Sequence, residues 1–219
     1  MTPDSLPAFT RPLAPRLGIA AAVLAVAHVV AVTLFFGGHL DCDYWQIALF
    51  DLDAEEGLGT WLSAVILLVA GQLLLDQARW EQARKGPLAR HWQVLGLGFH
   101  LLSLDEVAGL HEYLNTSLGD TSWTGVGAVG AGLVFVAFVP FLRRLEPRAR
   151  AQFLIAGFVY LGGALGVERA TDGYADADQL NSLAYNLWNV VEEGMEMGGI
   201  IGFIHALQSY RERTGVTAA

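Results

Sequence analysis

The chain has 219 residues, a formal net charge of -9 and a hydrophobic share of 53%, with a mean hydropathy of +0.41. This composition is typical of a membrane protein and excludes an ordinary soluble domain. The acidic balance gives no support to nucleic-acid binding. The single cysteine, Cys42, excludes an intrachain disulfide and four-cysteine zinc or iron–sulfur sites.

Six stretches of the sequence are long and apolar enough to form membrane-spanning helices. A span needs roughly 20 mostly apolar residues, because the hydrocarbon core is about 30 Å thick and each residue rises about 1.5 Å. We therefore predict an all-α, polytopic membrane protein, a bundle of about six transmembrane helices. The predicted helices cover residues 16–37, 58–78, 91–114, 124–143, 151–171 and 183–209.

These helices form one predicted transmembrane domain, residues 16–209, between an N-terminal tail, 1–15, and a C-terminal tail, 210–219. The first apolar run is longer than the core of a secretory signal and no A-x-A cleavage site follows it, so we interpret it as a helix. Between the first two helices, residues 44–52 are predicted to form a short helix on the membrane interface. The acidic residues after it are typical of a solvated loop or of a cation funnel.

The basic residues predict the orientation. They precede the first helix, follow the last one, and fill the connections between helices two and three and between helices four and five. Cytoplasmic loops carry an excess of Lys and Arg, so we expect both termini in the cytoplasm and the protein in the inner membrane of a bacterium. The residues concerned are Arg11, Arg16, Arg79, Arg84, Lys85, Arg90, Arg143, Arg144, Arg148, Arg150, Arg211 and Arg213.

Ionisable residues are concentrated in the third and sixth predicted helices. Such groups are costly inside a membrane unless they are paired, metal-bound or hydrated, which makes them candidates for a functional site. Helical periodicity places those of the sixth helix, together with two asparagines, on one stripe, whereas Glu106 projects from a different side of the third helix than its neighbours. The residues are His100, Asp105, Glu106, His111 and Glu112, and then Asn186, Asn189, Glu192, Glu193 and Glu196.

Several carboxylates in one place need a divalent metal, shared protons or a cation such as Arg169 to neutralise them. Carboxylates with imidazoles are typical ligands of Zn²⁺, Mn²⁺ or Fe²⁺, and carboxylates alone suit Ca²⁺ or Mg²⁺. The Glu-x-x-His pattern of dimetal carboxylate bundles is missing, which disfavours an oxygenase of that type. The predicted metal ligands are Asp105, His111, Glu112, Glu192 and Glu196, with His28 and His100 as further candidates.

His28 is open to three interpretations. It is a metal ligand, one of a His28/His100 pair of axial ligands to a b-type haem, or a hydrogen-bonded structural residue. Counting helix rise places the two histidines about 7 Å apart in depth, which weakens the haem hypothesis.

The polar groups lie in the outer half of the predicted bundle, which favours an interfacial active site over a transport route. We expect a metal-dependent hydrolase that acts on a lipid or other amphipathic substrate, with Glu193 or Glu106 as the base. The alternatives are a proton or cation transporter and an accessory subunit of a membrane complex.

Three stretches carry a resemblance. FDLDAEEGLGTWLS at 50–63, SLDEVAGLHE at 103–112 and VEEGMEM at 191–197 resemble a recurrent set in bacterial six-helix membrane proteins. The resemblance implies that the three stretches belong to one site, and it implies no particular activity.

Overall fold

The computed structural model describes residues 13–110, 113, 123–177 and 179–215, and every regular element within them is helical. A π-helical segment, Gly162–Val167, joins α5 to α6, and two 3₁₀ turns, Tyr44–Gln46 and Ala48–Phe50, take the place of the short helix predicted over 44–52. The long elements are α1 (Leu13–Phe36), α2 (Leu58–Ala83), α3 (Ala89–Ala108), α4 (Trp123–Arg144), α5 (Pro147–Leu161), α6 (Glu168–Asp176) and α7 (Leu183–Arg213).

Among the residues that the structure describes, four helical stretches are long and apolar enough to cross a membrane, which is the pattern of a helical membrane protein. Their outward faces are apolar: on α1, Ile19, Val23, Val26 and Val30 are all more than half exposed. Water would solvate such a stripe poorly, whereas lipid tails match it. The four stretches are Leu13–Phe36, Leu58–Ala83, Thr124–Arg144 and Pro147–Thr171.

The two remaining long helices, α3 and α7, carry the acidic residues. The helix predicted over 91–114 is interrupted after Ala108, because Gly109 adopts the left-handed conformation with φ +56° that commonly terminates helices. Leu110 and Tyr113 beyond it are helical again. At the start of α7, the Ser182 hydroxyl accepts a hydrogen bond of 3.2 Å from the backbone N–H of Tyr185, which caps the helix. The predicted helix 183–209 continues to Arg213.

Helix α2 is largely buried and packs closely against α3. At Gly71 a Cβ atom would lie 2.4 Å from His100 Nδ1, and at Gly96 one would lie 2.8 Å from the Leu75 side chain. Close approach of this kind strengthens van der Waals contact between membrane helices. A hydrogen bond of 2.8 Å from the Ser103 hydroxyl to the Ala64 carbonyl fixes the same pair.

An aromatic cluster at the basic ends of the helices joins α3, α4, α5 and α7. Trp92 is fully buried, and its ring centroid lies 4.7 Å from that of Phe141, 5.9 Å from that of Phe153 and 5.5 Å from that of Tyr210. The edge-to-face contacts among these rings add to the area that they bury. This cluster packs the basic end of the bundle. The acidic residues Glu192, Glu193 and Glu196 lie in the first half of α7, away from it.

Candidate acidic site

A group of carboxylates surrounds the middle of α7. The strongest Coulombic interactions of Glu193 are with Glu196, Glu106 and Asp53, and those of Glu196 include Glu106 as well. Glu192 and Glu168 complete the set around Glu196. We refer to the following residues as the acidic cluster: Asp53, Glu106, Glu168, Glu192, Glu193 and Glu196.

The π-helical segment packs directly on the α7 backbone beside this cluster. At Gly163 a Cβ atom would lie 2.7 Å from the Glu192 carbonyl oxygen and 2.9 Å from Glu196 Cγ. Only glycine allows this approach. Since π-helical turns are rare and frequently mark functional sites, this segment is a second feature that singles out the region.

Tyr160 joins the cluster from α5. It interacts electrostatically with Glu196, Glu106 and Asp105. Its position depends on Gly199 of α7, where a Cβ atom would lie 2.6 Å from the Tyr160 backbone nitrogen. Sequence reasoning did not identify Tyr160, because a tyrosine within an apolar helix resembles an ordinary packing residue.

Asp53 ties the loop before α2 to α7. Its Oδ2 atom accepts a hydrogen bond of 2.9 Å from Asn189 Nδ2, and the Tyr185 hydroxyl lies 3.5 Å from the same atom. Asn189 is only 2% exposed and precedes Glu192 and Glu193 by one helical turn, on the same face. The Asn189 amide therefore lies between the loop carboxylate and the carboxylates of α7.

The other amide atom of this asparagine is unsatisfied. Asn189 Oδ1 is buried and has no hydrogen-bond partner among the residues that the structure describes. Reversing the amide would aim its oxygen at the Asp53 carboxylate, so Asp53 fixes the orientation. A buried carbonyl oxygen without a hydrogen-bond donor lowers the stability of the fold by roughly 1–3 kcal/mol. A water molecule or a cation bound to this oxygen would relieve that cost.

His28 connects α1, the loop and α7. It is fully buried, its Nδ1 atom accepts a hydrogen bond of 3.0 Å from the Leu52 N–H, and its Nε2 atom lies 3.1 Å from the Asn186 carbonyl. A neutral ring protonated at Nε2 satisfies both contacts. The Asp51 carboxylate lies 3.4 Å from Nδ1. Both nitrogens are engaged by the chain, so a ligand role for His28, to a metal or to haem, would require this arrangement to open.

Tyr44 secures the loop from the other side. Its hydroxyl donates to the Asp51 carboxylate and lies 2.7 Å from Asn186 Oδ1. The Asn186 amide nitrogen in turn donates to the Ser182 carbonyl at 2.9 Å. Burial and the acceptor carboxylate of Asp51 raise the pKa of Tyr44 above its ordinary value. We refer to His28, Tyr44, Asp51 and Asn186 as the loop clamp.

The remaining predicted site residues divide into three groups. Glu106 lies with Glu193 and Glu196, although periodicity alone had placed it on a different side of the third helix, and Asp105 lies near Tyr160. His100 lies against Gly71 of α2, where its Nδ1–H donates to the Gly96 carbonyl at 2.7 Å. His111 and Glu112 fall outside the described residues.

The donor atoms of the acidic cluster are carboxylate oxygens, the ligand type that hard cations prefer. Among the described residues, no three His, Cys, Asp or Glu side chains form a group that could hold a metal ion as they stand. Binding would therefore require glutamate rotamer changes, or oxygen donors of another kind such as Asn189 Oδ1. The group would then resemble the carboxylate and amide oxygen sites that hard cations occupy.

Comparison with known families places the chain. A family model described as a domain of unknown function, DUF8692, matches residues 16–210. The chain belongs to the DUF8692 family. The matched region contains all of the helices from α2 to α6 and both the acidic cluster and the loop clamp, so the candidate site lies within the DUF8692 domain. Neither a curated protein nor a solved structure matches the chain.

Proposed function

We propose that this DUF8692 protein is an integral membrane protein that binds a divalent cation in the acidic cluster. The observation that carries the proposal is the electrostatic surroundings of Glu193 and Glu196, whose strongest Coulombic partners are all carboxylates. Like charges within a membrane domain repel each other strongly because the dielectric is low. A divalent cation would remove this repulsion.

The described donors favour a cation with oxygen ligands. Carboxylates and the free carbonyl oxygen of Asn189 suit Mg²⁺, Ca²⁺ or Mn²⁺. Zn²⁺ or Fe²⁺ would draw on imidazole, which His111 supplies in the predicted ligand set together with Glu112.

A hydrolytic reaction is the activity that we propose for such a site. A divalent cation held there would supply a water of lowered pKa, and a nearby carboxylate would accept its proton. Glu193 and Glu106, which interact with each other in the cluster, are the proposed bases. A lipid or other amphipathic molecule is the proposed substrate, because the site belongs to a membrane domain.

We also propose six spans in the inner membrane of a bacterium, with both termini in the cytoplasm. The support is the basic composition of the α2–α3 and α4–α5 connections and of the end of α7. Cysteine labelling from each side tests this orientation. Labelling of a cysteine placed at 55 from the cytoplasmic side would overturn it and would move the acidic cluster to the opposite leaflet.

The cation proposal is tested by thermal unfolding of the protein in detergent. After treatment with a chelator, addition of Mg²⁺, Ca²⁺, Mn²⁺ or Zn²⁺ one at a time should raise the melting temperature for the cation that binds, since binding to the folded state alone stabilises it. Glu192→Gln, at a predicted ligand, should abolish this rise. Glu212→Gln, at the exposed far end of the same helix, is the matched control and should retain it. A melting temperature that no cation changes, in a protein that contains no stoichiometric metal, would refute the proposal.

One observation favours the alternative of cation or proton transport. Gln77 of α2 is fully buried, and neither atom of its amide has a hydrogen-bond partner among the described residues. Asp76 beside it is buried as well and accepts from Arg79 at 2.9 Å. These groups supply polar atoms in the half of the bundle away from the acidic cluster. Ion flux into proteoliposomes that Glu196→Gln stops would favour transport over hydrolysis.

A further inference from the structure

An open groove runs along the contact between α5 and α7, between the acidic cluster and the basic end of the bundle. It has a volume of about 220 Å³, and its walls are mainly apolar. Its lining residues extend over about two turns of each helix, within 152–159 and 198–205, so the groove is elongated and suits a linear group better than a compact ligand. The residues that form its walls include Ile155, Ala156, Val159, Gly198, Gly202 and His205.

The α7 wall of the groove is backbone at its glycines, with the side chain of His205 beyond them. A Cβ atom at Gly198 would meet nothing within 4 Å, and one at Gly202 would touch only the Ala156 side chain at 3.7 Å. These two glycines therefore differ from Gly199, which α5 packs against directly. Across the groove, Ile155 is 65% exposed. Within a membrane, a hydrocarbon chain is the group that fills an apolar channel of this shape.

One end of the groove is basic. Gln152, which lies on its wall, is 3.5 Å from a guanidinium nitrogen of Arg213. Arg148 precedes Gln152 by one turn on the same face of α5 and is exposed. Residues 143–150 and 211–213 together hold six arginines and two glutamates, one of which, Glu146, pairs with Arg213. The excess positive charge lies where a phospholipid phosphate would meet the end of the channel.

We propose that this groove binds an anionic phospholipid. One acyl chain lies along Gly198 and Gly202, and the phosphate lies beside Arg148 and His205. The apolar groove matches the acyl chain, and the arginines favour an anionic headgroup. Each basic residue near an anionic lipid contributes about 1 kcal/mol, or about fivefold in affinity. This site is separate from the acidic cluster and does not depend on the cation.

The test is a lipid titration of the delipidated full-length chain in detergent, followed by native mass spectrometry. Phosphatidylglycerol and phosphatidylcholine with identical acyl chains are the two probes. The wild type should retain phosphatidylglycerol with about fivefold higher affinity or more. Gly198→Leu fills the channel and should lower retention of both lipids severalfold. Gly130→Leu on α4, where a Cβ also meets nothing within 4 Å, is the matched control and should leave retention unchanged.

A second variant separates the headgroup from the chain. Arg148→Gln leaves the channel intact, so it should reduce the preference for phosphatidylglycerol while retention of phosphatidylcholine is unchanged. Equal retention of the two lipids by the wild type would overturn the proposal, as would retention that Gly198→Leu does not alter. A dimer that Gly198→Leu converts to a monomer would instead assign the groove to contact between two copies of the chain.

Discussion

Asn189 Nδ2 donates a hydrogen bond of 2.9 Å to Asp53 Oδ2 and thereby joins the loop before α2 to the middle of α7. The two residues are 136 positions apart in the chain. This contact draws the loop carboxylate toward Glu193 and Glu196, and it leaves the second amide atom of Asn189 buried and unsatisfied. This hydrogen bond therefore holds the Asp53 carboxylate in the acidic cluster. It also fixes the amide orientation that leaves Asn189 Oδ1 without a hydrogen-bond partner among the described residues.

Asn189→Ala should destabilise the protein by about 1–2 kcal/mol, because it removes a hydrogen bond to a carboxylate. Removal of the buried, unsatisfied oxygen offsets only part of this loss. It should also weaken the stabilisation by cations. The measurement is the melting temperature with and without the divalent cation. Asn181→Ala, an exposed asparagine just before α7, is the control and should change neither value. A cation response as large in Asn189→Ala as in the wild type would exclude Asn189 as a ligand.

His28→Leu should cost about 3 kcal/mol of stability. It leaves the Leu52 N–H without its acceptor and the Asn186 carbonyl without a contact, both in a buried location. His39→Leu, at an exposed histidine, should cost less than about 0.5 kcal/mol. Thermal unfolding compares the two. If His28→Leu instead kept full stability and lost bound metal, the ligand hypothesis for His28 would replace the structural one.

Substitution by alanine should have opposite effects on stability at two neighbouring glycines of α7, Gly198 and Gly199. Gly199→Ala forces a methyl group against the Tyr160 backbone, so it should destabilise the bundle by about 1–3 kcal/mol. Gly198→Ala meets nothing within 4 Å and should be neutral or stabilising by up to about 1 kcal/mol, through the higher helix propensity of alanine. Unfolding of both variants in one detergent measures the difference. Equal effects would show that α5 and α7 are not packed as described.

The raised pKa of Tyr44 in the loop clamp predicts a loss of stability at alkaline pH. The pKa of Tyr44 is raised in the folded state, so its neutral hydroxyl stabilises the fold fully below the unfolded pKa of about 10, and this contribution is lost as pH rises through the folded pKa. Tyr44→Phe should be less stable at pH 7, since it lacks the hydrogen bond to Asp51 and the contact with Asn186. Above pH 10 it should lose stability less steeply than the wild type. Parallel profiles would contradict the raised pKa.

Hydropathy predicted the helical membrane class and most helix positions, because the length of an apolar run is a local property. It missed the interruption of the third helix at Gly109, which terminates α3 after Ala108 although Leu110 and Tyr113 beyond it are helical. Periodicity brought Glu192, Glu193 and Glu196 onto one stripe with Asn186 and Asn189. It set Glu106 apart from the other polar residues of the third helix, and a helix angle alone did not say which neighbouring helix Glu106 reaches.

By itself, the sequence determined that the chain is a helical membrane protein with its acidic residues gathered in a few stretches. Only the tertiary structure decided which residues share the acidic cluster and which belong to the loop clamp. Tyr160 reaches the cluster because Gly199 lets α5 approach α7, and His28 serves the clamp because Leu52 and Asn186 occupy both of its nitrogens. Hydropathy and helical period are read within one segment, whereas these partners come from segments far apart in the chain and meet only when the helices pack.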